Sequence, residues 1–349
     1  MKCSMSRPTL LLLAALSTGL GCGDENSPLA AGNSLATCGE PTSIIEGDFY
    51  IRSMADLRGF APTDSECFRV EGNLHILTID GLRDLALLAG LTEVSGRLSI
   101  GMNPDLKSLA ALGSRRRVDG PLSLFNNPSL ASLEGLHNVV HVGGVGVGSN
   151  ERLTSLEGLQ NVVHVGGGVS VSHNERLLDL AGLRNLSTVG WLGVSGNPKL
   201  TTLADLKRLS SVADGLGILS NEALVDLDGL QRITETGNTV TIAGNPALRS
   251  LTGLDALIRV GGSFVLRENA SLNDLHGLES LARVDWALAI MDNPSLSRLN
   301  GLNSLVEIRH SVMIRNNTSL PQAEIDGLTE RLVLAGFSGT TEVVGNLAE

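Results

Sequence analysis

Gly120-Pro121-Leu122-Ser123-Leu124-Phe125-Asn126-Asn127-Pro128-Ser129-Leu130-Ala131-Ser132-Leu133-Glu134-Gly135-Leu136 carries two rhythms in one short stretch. Its first half alternates apolar and polar residues, the pattern of a short strand with one buried face. In its second half Leu130, Leu133 and Leu136 recur at every third residue, and the series runs on through Val139 and Val142. That stride is too tight for an α-helix and suits 3₁₀ or extended three-per-turn backbone. One strand followed by one non-α return is therefore expected.

The same unit repeats along the chain. Asparagines stand in one column at Asn103, Asn127, Asn150, Asn174, Asn197, Asn221, Asn245, Asn269, Asn293 and Asn317, with steps of 23 or 24 residues. A single unit of this length cannot bury its own leucines, whereas stacked units join them into one core, so the periodicity predicts a solenoid. At the asparagine the chain leaves its strand and turns. An amide side chain there can pair with backbone groups of its own and the neighbouring coil that would otherwise be buried without partners. Pro follows Asn103, Asn127, Asn197, Asn245 and Asn293, where it fixes the turn and brings no N–H to satisfy. These asparagines read as a structural ladder rather than a ligand site. Gly135, Gly158, Gly182, Gly229, Gly253, Gly277 and Gly301 each precede a core leucine, a place for positive φ or close backbone approach. By this register strands begin near residues 47, 72, 96, 120, 143, 167, 190, 214, 238, 262, 286 and 310. Such a stack is on the order of 55 Å long. Its open ends need caps. Residues 53–60 offer one short amphipathic helix with Met54, Leu57 and Phe60 on one side. Residues 323–335 offer another, with Ile325, Leu328, Leu332 and Leu334 available to close the far end.

Composition agrees with repetition. Aromatic residues make up only 3% of the 349, so the interior must be built from many similar aliphatic side chains. The formal net charge is −11 and no basic run exceeds Arg115-Arg116-Arg117, which argues against a nucleic-acid partner. Gly143-Gly144-Val145-Gly146-Val147-Gly148 falls in the strand half of a repeat with no helix after it, so it is not a phosphate loop.

Lys2 and Arg7, then an apolar run from Leu10 to Leu16, then small residues up to Cys22 follow the order of a secretory signal peptide over residues 1–21. The run is too short to span a bilayer permanently. Thr18-Gly19-Leu20-Gly21-Cys22 resembles the lipobox of bacterial lipoproteins, in which a small residue precedes a cysteine that is acylated and becomes the new N-terminus. Leu20 lies closer to the cysteine here than in that pattern. Lipidation at Cys22 and export to the bacterial cell envelope are implied, with simple secretion and an unmodified Cys22 as the other reading. Residues 22–37 are small, polar and aperiodic, the composition of a tether. With Cys22 acylated and Cys3 removed with the signal, Cys38 and Cys67 are left as the single intramolecular bridge open to an exported chain.

Cys67-Phe68-Arg69-Val70-Glu71-Gly72-Asn73-Leu74-His75-Ile76 resembles the start of the receptor L domain of the insulin and epidermal growth factor receptors, where a cysteine precedes a Gly-Asn-Leu-x-Ile strand. Cys38 and the helix-like Ser53-Met54-Ala55-Asp56-Leu57 lie where that family keeps its partner cysteine and capping helix. The resemblance covers about residues 38–345 and implies a right-handed single-stranded β-helix with leucine-rich turns. The expected plan is a disulfide-bonded cap with the first turn over residues 38–71, the leucine-rich β-helix over 72–320 and a C-terminal cap over 321–349. Receptor L domains have about half as many turns and sit beside cysteine-rich modules that this chain lacks. The family therefore implies a binding surface and not receptor signalling.

Enzymes that cut acidic polysaccharides on a β-helix place clustered carboxylates and basic groups on a sheet face. The outward strand positions between Arg97 and Arg315 hold no Asp, Glu or His, so a general acid–base pair cannot be assembled there. His75, His137, His141, His164, His173, His276 and His310 form no metal-ligand spacing, and no cofactor motif or nonapeptide calcium repeat occurs. His141 and His164 share one repeat position and are expected to stack on neighbouring turns. The Asn-x-Ser/Thr sequences at Asn185, Asn269 and Asn316 matter only in a host that glycosylates secreted proteins, which a lipobox argues against. What remains is a sheet with a small-residue middle and larger side chains at Trp191, Arg267, Met291, Met313 and Arg315. Solenoid faces commonly serve recognition, and Trp, Met and Arg favour interface cores. The expected function is a non-catalytic cell-envelope binding or adhesion module for a protein or glycan ligand. A structural spacer is the alternative, with a polysaccharide-acting enzyme third.

Overall fold

The alternating halves do form strands, and the strands stack. The computed structural model describes residues 41–62, 67–113 and 116–347. The expected signal, tether, Cys22 and Cys38 lie outside them. Each coil lays its strand parallel on the one before, so that Leu192 pairs with Leu216, and Val240, Phe264 and Leu288 follow in turn. Twelve such rungs, from Phe49–Ile51 to Ser311–Arg315, delimit about 11 turns of roughly 24 residues in a β-solenoid. The inward side chains of this ladder, with Leu130, Leu133, Leu136 and their equivalents, make one aliphatic core from Ile51 to Leu332.

The leucine half is built as its three-residue stride requires. Leu130 N–H donates to Asn127 O at 3.0 Å, Leu136 N–H to Leu133 O at 3.1 Å and Val139 N–H to Leu136 O at 2.9 Å. Short 3₁₀ turns form at Ala86–Leu88, Ala110–Leu112, Ala181–Leu183, Ala204–Leu206 and Asn300–Leu302. Glycine is needed beside them for the two reasons its position suggested. Gly158 has φ +122, and a Cβ on Gly182 would collide with the carbonyl oxygen of Leu156 in the coil before.

A second ladder was not legible in the three-residue series. The end of each return also pairs with its neighbours, as where Arg259–Val260 pairs with Arg283–Val284 and that with Glu307–Ile308. In the middle coils the two segments run together into Arg116–Phe125, Val139–Gly148, His164–Ser172 and Thr188–Ser195, with a register irregularity where the ladders meet. The physical cause is general: the amides next to buried Val142, Val165 and Val189 need partners, and the adjacent coil supplies them.

The ten asparagines lie above one another and are fully buried. Asn197 is representative. Its backbone N–H donates to Asn221 Oδ1 at 3.2 Å, and its Nδ2 donates to Val171 O at 3.0 Å, Ser195 O at 3.1 Å and Asn221 Oδ1 at 3.3 Å. A buried polar group left without a partner costs about 1–3 kcal/mol, so each rung of this ladder matters to the coil on either side. Immediately before the ladder position the backbone is left-handed. φ lies between 53 and 58 at Thr78, Met102, Asn126, Ser149, His173, Ser220, Glu268, Asp292 and Asn316, while Gly196 and Gly244 fill the same place in other coils. This single residue turns the chain out of the strand, and its varied identity hid it in the sequence.

Both ends are capped, with two departures from expectation. Ser53 Oγ accepts the N–H of Asp56 at 3.0 Å and starts the helix Met54–Phe60, whose Leu57 is buried and whose Phe60 ring packs 5.0 Å from Phe49. At the other end the helix Gln322–Leu334 buries Ile325, Leu328 and Leu332. Leu334 does not join them. It is 88% exposed, because it falls at the helix end two residues after Leu332 and so off the buried stripe. The chain then returns as Thr340–Val344, parallel to Ser311–Arg315, and Asn346 Oδ1 accepts from the N–H of Asn317 at 3.0 Å. Asn346 is thus an eleventh ladder member, displaced in sequence by the inserted helix.

Candidate binding surface

The strand face opposite the core runs the length of the solenoid. Its middle is made of small uncharged residues: Gly146 and Gly148 pair with Ser170 and Ser172 in the next coil, and Gly193, Gly217 and Thr241 follow Ser170 in turn. The face also extends beyond the stretch between Arg97 and Arg315. Tyr50 and His75 precede Ser99 in one column, and Glu342 follows Met313. In that column titratable side chains therefore occur at the two ends but not along the middle. The Tyr50 and His75 rings stack at 4.6 Å and 9°, and the Arg52 guanidinium lies 5.6 Å from the tyrosine ring. Burial, and then the positive charge of Arg97, hold the His75 imidazole below its ordinary pKa, opposed by Asp48.

Of the residues singled out for binding, Arg267, Met291 and Arg315 occupy one column on successive rungs, with Met313 one column away. Both arginines are already engaged. Arg267 Nη1 lies 2.8 Å from Glu268 Oε1, and Arg315 is ion-paired with Glu342. Trp191 stands apart, three rungs from Arg267 along the 192, 216, 240 and 264 series. It is 43% exposed, and its ring lies across Gly168 and Gly193, where a Cβ on either would collide with the indole.

Trp286 was missed. It falls in the bend between Arg283–Val284 and Ala287–Met291, outside the alternating positions that sequence reading searched. It is 56% exposed and stacks on His310 of the next coil, with ring centres 4.3 Å apart and planes at 19°. Beside it, Asp285 accepts hydrogen bonds from Arg259 and Arg283, both at 2.5 Å, with Arg309 at 3.6 Å. Burial works against the Asp285 carboxylate, but those two arginines outweigh it and keep its pKa below the ordinary range. Glu235 and Glu307 complete the network on Arg259, Arg283 and Arg309, balancing its charge.

The leucine side holds a separate cleft of about 380 Å³ lined by Ser132, Glu134, His137, Glu157, Gly158, Gln160 and Arg184. It contains two carboxylates, as an acid–base site would need, yet both are exposed and Glu157 lies 3.7 Å from Arg184. A general acid needs a carboxyl sheltered enough to keep its proton near neutrality, and nothing here shelters one. The asparagines around this cleft are structural: Asn138, Asn161 and Asn185 each donate Nδ2 to a carbonyl of the preceding coil, on Gly113, His137 and Gln160. Among the described residues no group of three or more His, Cys, Asp or Glu could hold a metal ion, and no helix is long and apolar enough to cross a membrane.

His141 and His164 do occupy neighbouring rungs, but they do not depend on each other for polar partners. His141 lies 3.6 Å from Asp119, and His164 Nδ1 is 2.9 Å from Thr188 Oγ1. Of the Asn-x-Ser/Thr sites, Asn269 and Asn317, the latter followed by Thr318-Ser319, are fully buried in the ladder and Asn185 bonds to Gln160, while Asn316 is exposed and donates to Asp292.

Compared with models of the known families and with curated proteins, the chain matches none.

Proposed function

We propose that this protein is a non-catalytic binding or adhesion module of the bacterial cell envelope, tethered by a lipid on Cys22 and presenting the outer strand face of its solenoid to a protein or glycan. The observation that carries this reading is the placement of the only two tryptophans, both exposed on or beside a flat, small-residue surface, each seated against its own support. Exposed aromatic side chains fixed in place are the usual anchors of recognition surfaces. The test is cosedimentation of the full-length protein with isolated envelope fragments. Sedimentation that drops with Trp191→Ala or Trp286→Ala supports the reading, and sedimentation indifferent to both removes this face from it.

A structural spacer is the second reading, favoured by the separation of Trp191 from the Arg267, Met291 and Arg315 column and by the ion pairs that occupy both arginines. No sedimentation at all would favour it.

The lipid, the cap disulfide and the kinship with receptor L domains belong to the same proposal. Mass spectrometry of the mature N-terminus is expected to give an acylated Cys22; a differently cut or unmodified terminus overturns the tether. Thr42 N–H and Oγ1 donate to Cys67 O at 2.7 and 2.9 Å, which fixes Cys67 against the first described residues, four beyond Cys38. A Cys38–Cys67 peptide in non-reducing digests is the expected signature of the bridge.

A further inference from the structure

We propose that Trp191 and Trp286 are two stacking platforms for one uncharged, linear polysaccharide lying along the solenoid axis, an inference that rests on reading the outer strand face as a binding surface. The two indoles belong to neighbouring columns of that face, Trp286 directly preceding Ala287, the register equivalent of Trp191. They stand four rungs apart, about 19 Å along the axis. A compact ligand cannot touch both, whereas an oligosaccharide of several sugars can.

Each indole is pre-organised to receive a flat partner. Trp191 rests on a floor of Gly168 and Gly193. Trp286 is backed by His310, and the position before it in the stack is Gly262, which has no side chain to cover the ring. The π face of an aromatic ring is electron-rich, and the axial C–H groups of a pyranose present a weakly positive apolar face of matching size. A rigid platform loses little side-chain entropy on binding.

The ground between the platforms selects the chemistry of the ligand. Gly215, Gly217, Thr239, Thr241, Ser263 and Val265 contribute hydroxyls and exposed backbone, and the charge in the Trp286 column between the two indoles is the exposed Asp214 carboxylate, an acceptor for a sugar hydroxyl. A polyanion meets the Asp214 carboxylate there and a chain of net charge −11, while Arg267, four positions beyond Ser263 on its strand, is already paired with Glu268. A protein partner of standard size is held by anchors in pockets, and the cleft beside this floor, lined by Ser211, Ala213, Glu235, Gly237 and Arg259, is polar, with Arg259 already paired to Glu235 and Asp285. Hydroxyl-rich, neutral and extended is the ligand that fits.

Because the chain has only two tryptophans, its intrinsic emission reports on this site and nowhere else. The full-length protein is titrated with cellohexaose, mannohexaose, chitohexaose and the anionic hexagalacturonate, each to about 5 mM, a range that covers weak single-site affinities. A saturable change in emission with one neutral hexasaccharide is expected, weakened about tenfold or more by Trp191→Ala and by Trp286→Ala, and largely kept by Phe at either position. The matching disaccharide, too short to bridge the indoles, is expected to bind as weakly as the alanine variants. Far-UV circular dichroism and thermal melts establish that the variants stay folded. The proposal is overturned by preference for hexagalacturonate, by affinity that ignores both substitutions, or by silence from every neutral hexasaccharide. If neutral sugars do nothing while envelope sedimentation still depends on the tryptophans, the binding face stands and its ligand is a protein.

Discussion

Asn197 gives two hydrogens to one oxygen: its backbone N–H and its side-chain amide both donate to Oδ1 of Asn221, at 3.2 and 3.3 Å. One buried acceptor thereby joins two coils, and the pattern repeats down to Asn346. The hydrophobic column holds the coils together without direction, whereas this ladder fixes which residue lies above which.

Replacing Asn197 by Ala leaves Val171 O and the N–H of Asn174 without their present partners inside the core. A loss of about 3 kcal/mol or more is expected from those orphaned groups. Because each coil touches only its neighbours, urea unfolding followed by both circular dichroism and tryptophan emission should split into two transitions on either side of the damaged rung. Coincident transitions with an unchanged midpoint would show that the ladder is dispensable.

The left-handed residues hold removable strain. Thr78 is β-branched at φ 57, and its hydroxyl bonds only to the carbonyl of Leu77 beside it. Left-handed backbone costs an ordinary residue about 1–2 kcal/mol, part of which Gly returns to the unfolded chain as entropy. Thr78→Gly is therefore expected to raise the melting temperature slightly, while Val or Ile at Ser220, φ 53, should lower it.

Two glycines of the same type should answer oppositely to alanine. Gly182→Ala drives a Cβ into Leu156 O and should cost several times more than the roughly 1 kcal/mol of an ordinary core strain. Gly327 lies inside the helix Gln322–Leu334 with room for a Cβ, so Gly327→Ala should stabilise by about 1 kcal/mol. Equilibrium urea melts of the two variants decide this directly.

Acid should loosen the C-terminal coils through Asp285. Its carboxylate is held below the ordinary range by Arg283 and Arg259 against the opposing effect of burial, so the folded state favours the charged form. The stability it contributes is present above the unfolded-state pKa of about 3.9 and is lost as pH falls through the lower folded value. Asp285→Asn should lower stability at pH 7, where it leaves Arg259, Arg283 and Arg309 short of a counter-charge, and lose less than the wild type on acidification. Thermal melts from pH 7 downward give both slopes; parallel curves would remove Asp285 from the acid response.

The repeat length, the parallel stacking, the 3₁₀ return, the asparagine column and both capping helices were legible in the sequence because each leaves a periodic or compositional mark. Alternation marks a strand, a three-residue stride marks a tight return, and Asn197 with its equivalents recurs at the turn. The second ladder left no such mark, since Val142 and Val165 satisfy the apolar stride whether or not their amides pair with the next coil. Asn346 was hidden by the helix that displaces it from the count. Trp286 sits at a bend, where neither rhythm applies, and only stacking shows that it adjoins His310, 24 positions later. Sequence alone thus determined the coil, because a local pattern repeated often enough forces its own burial. The surface depended on tertiary structure, because which outward side chains meet is set by register between coils and not by distance along the chain.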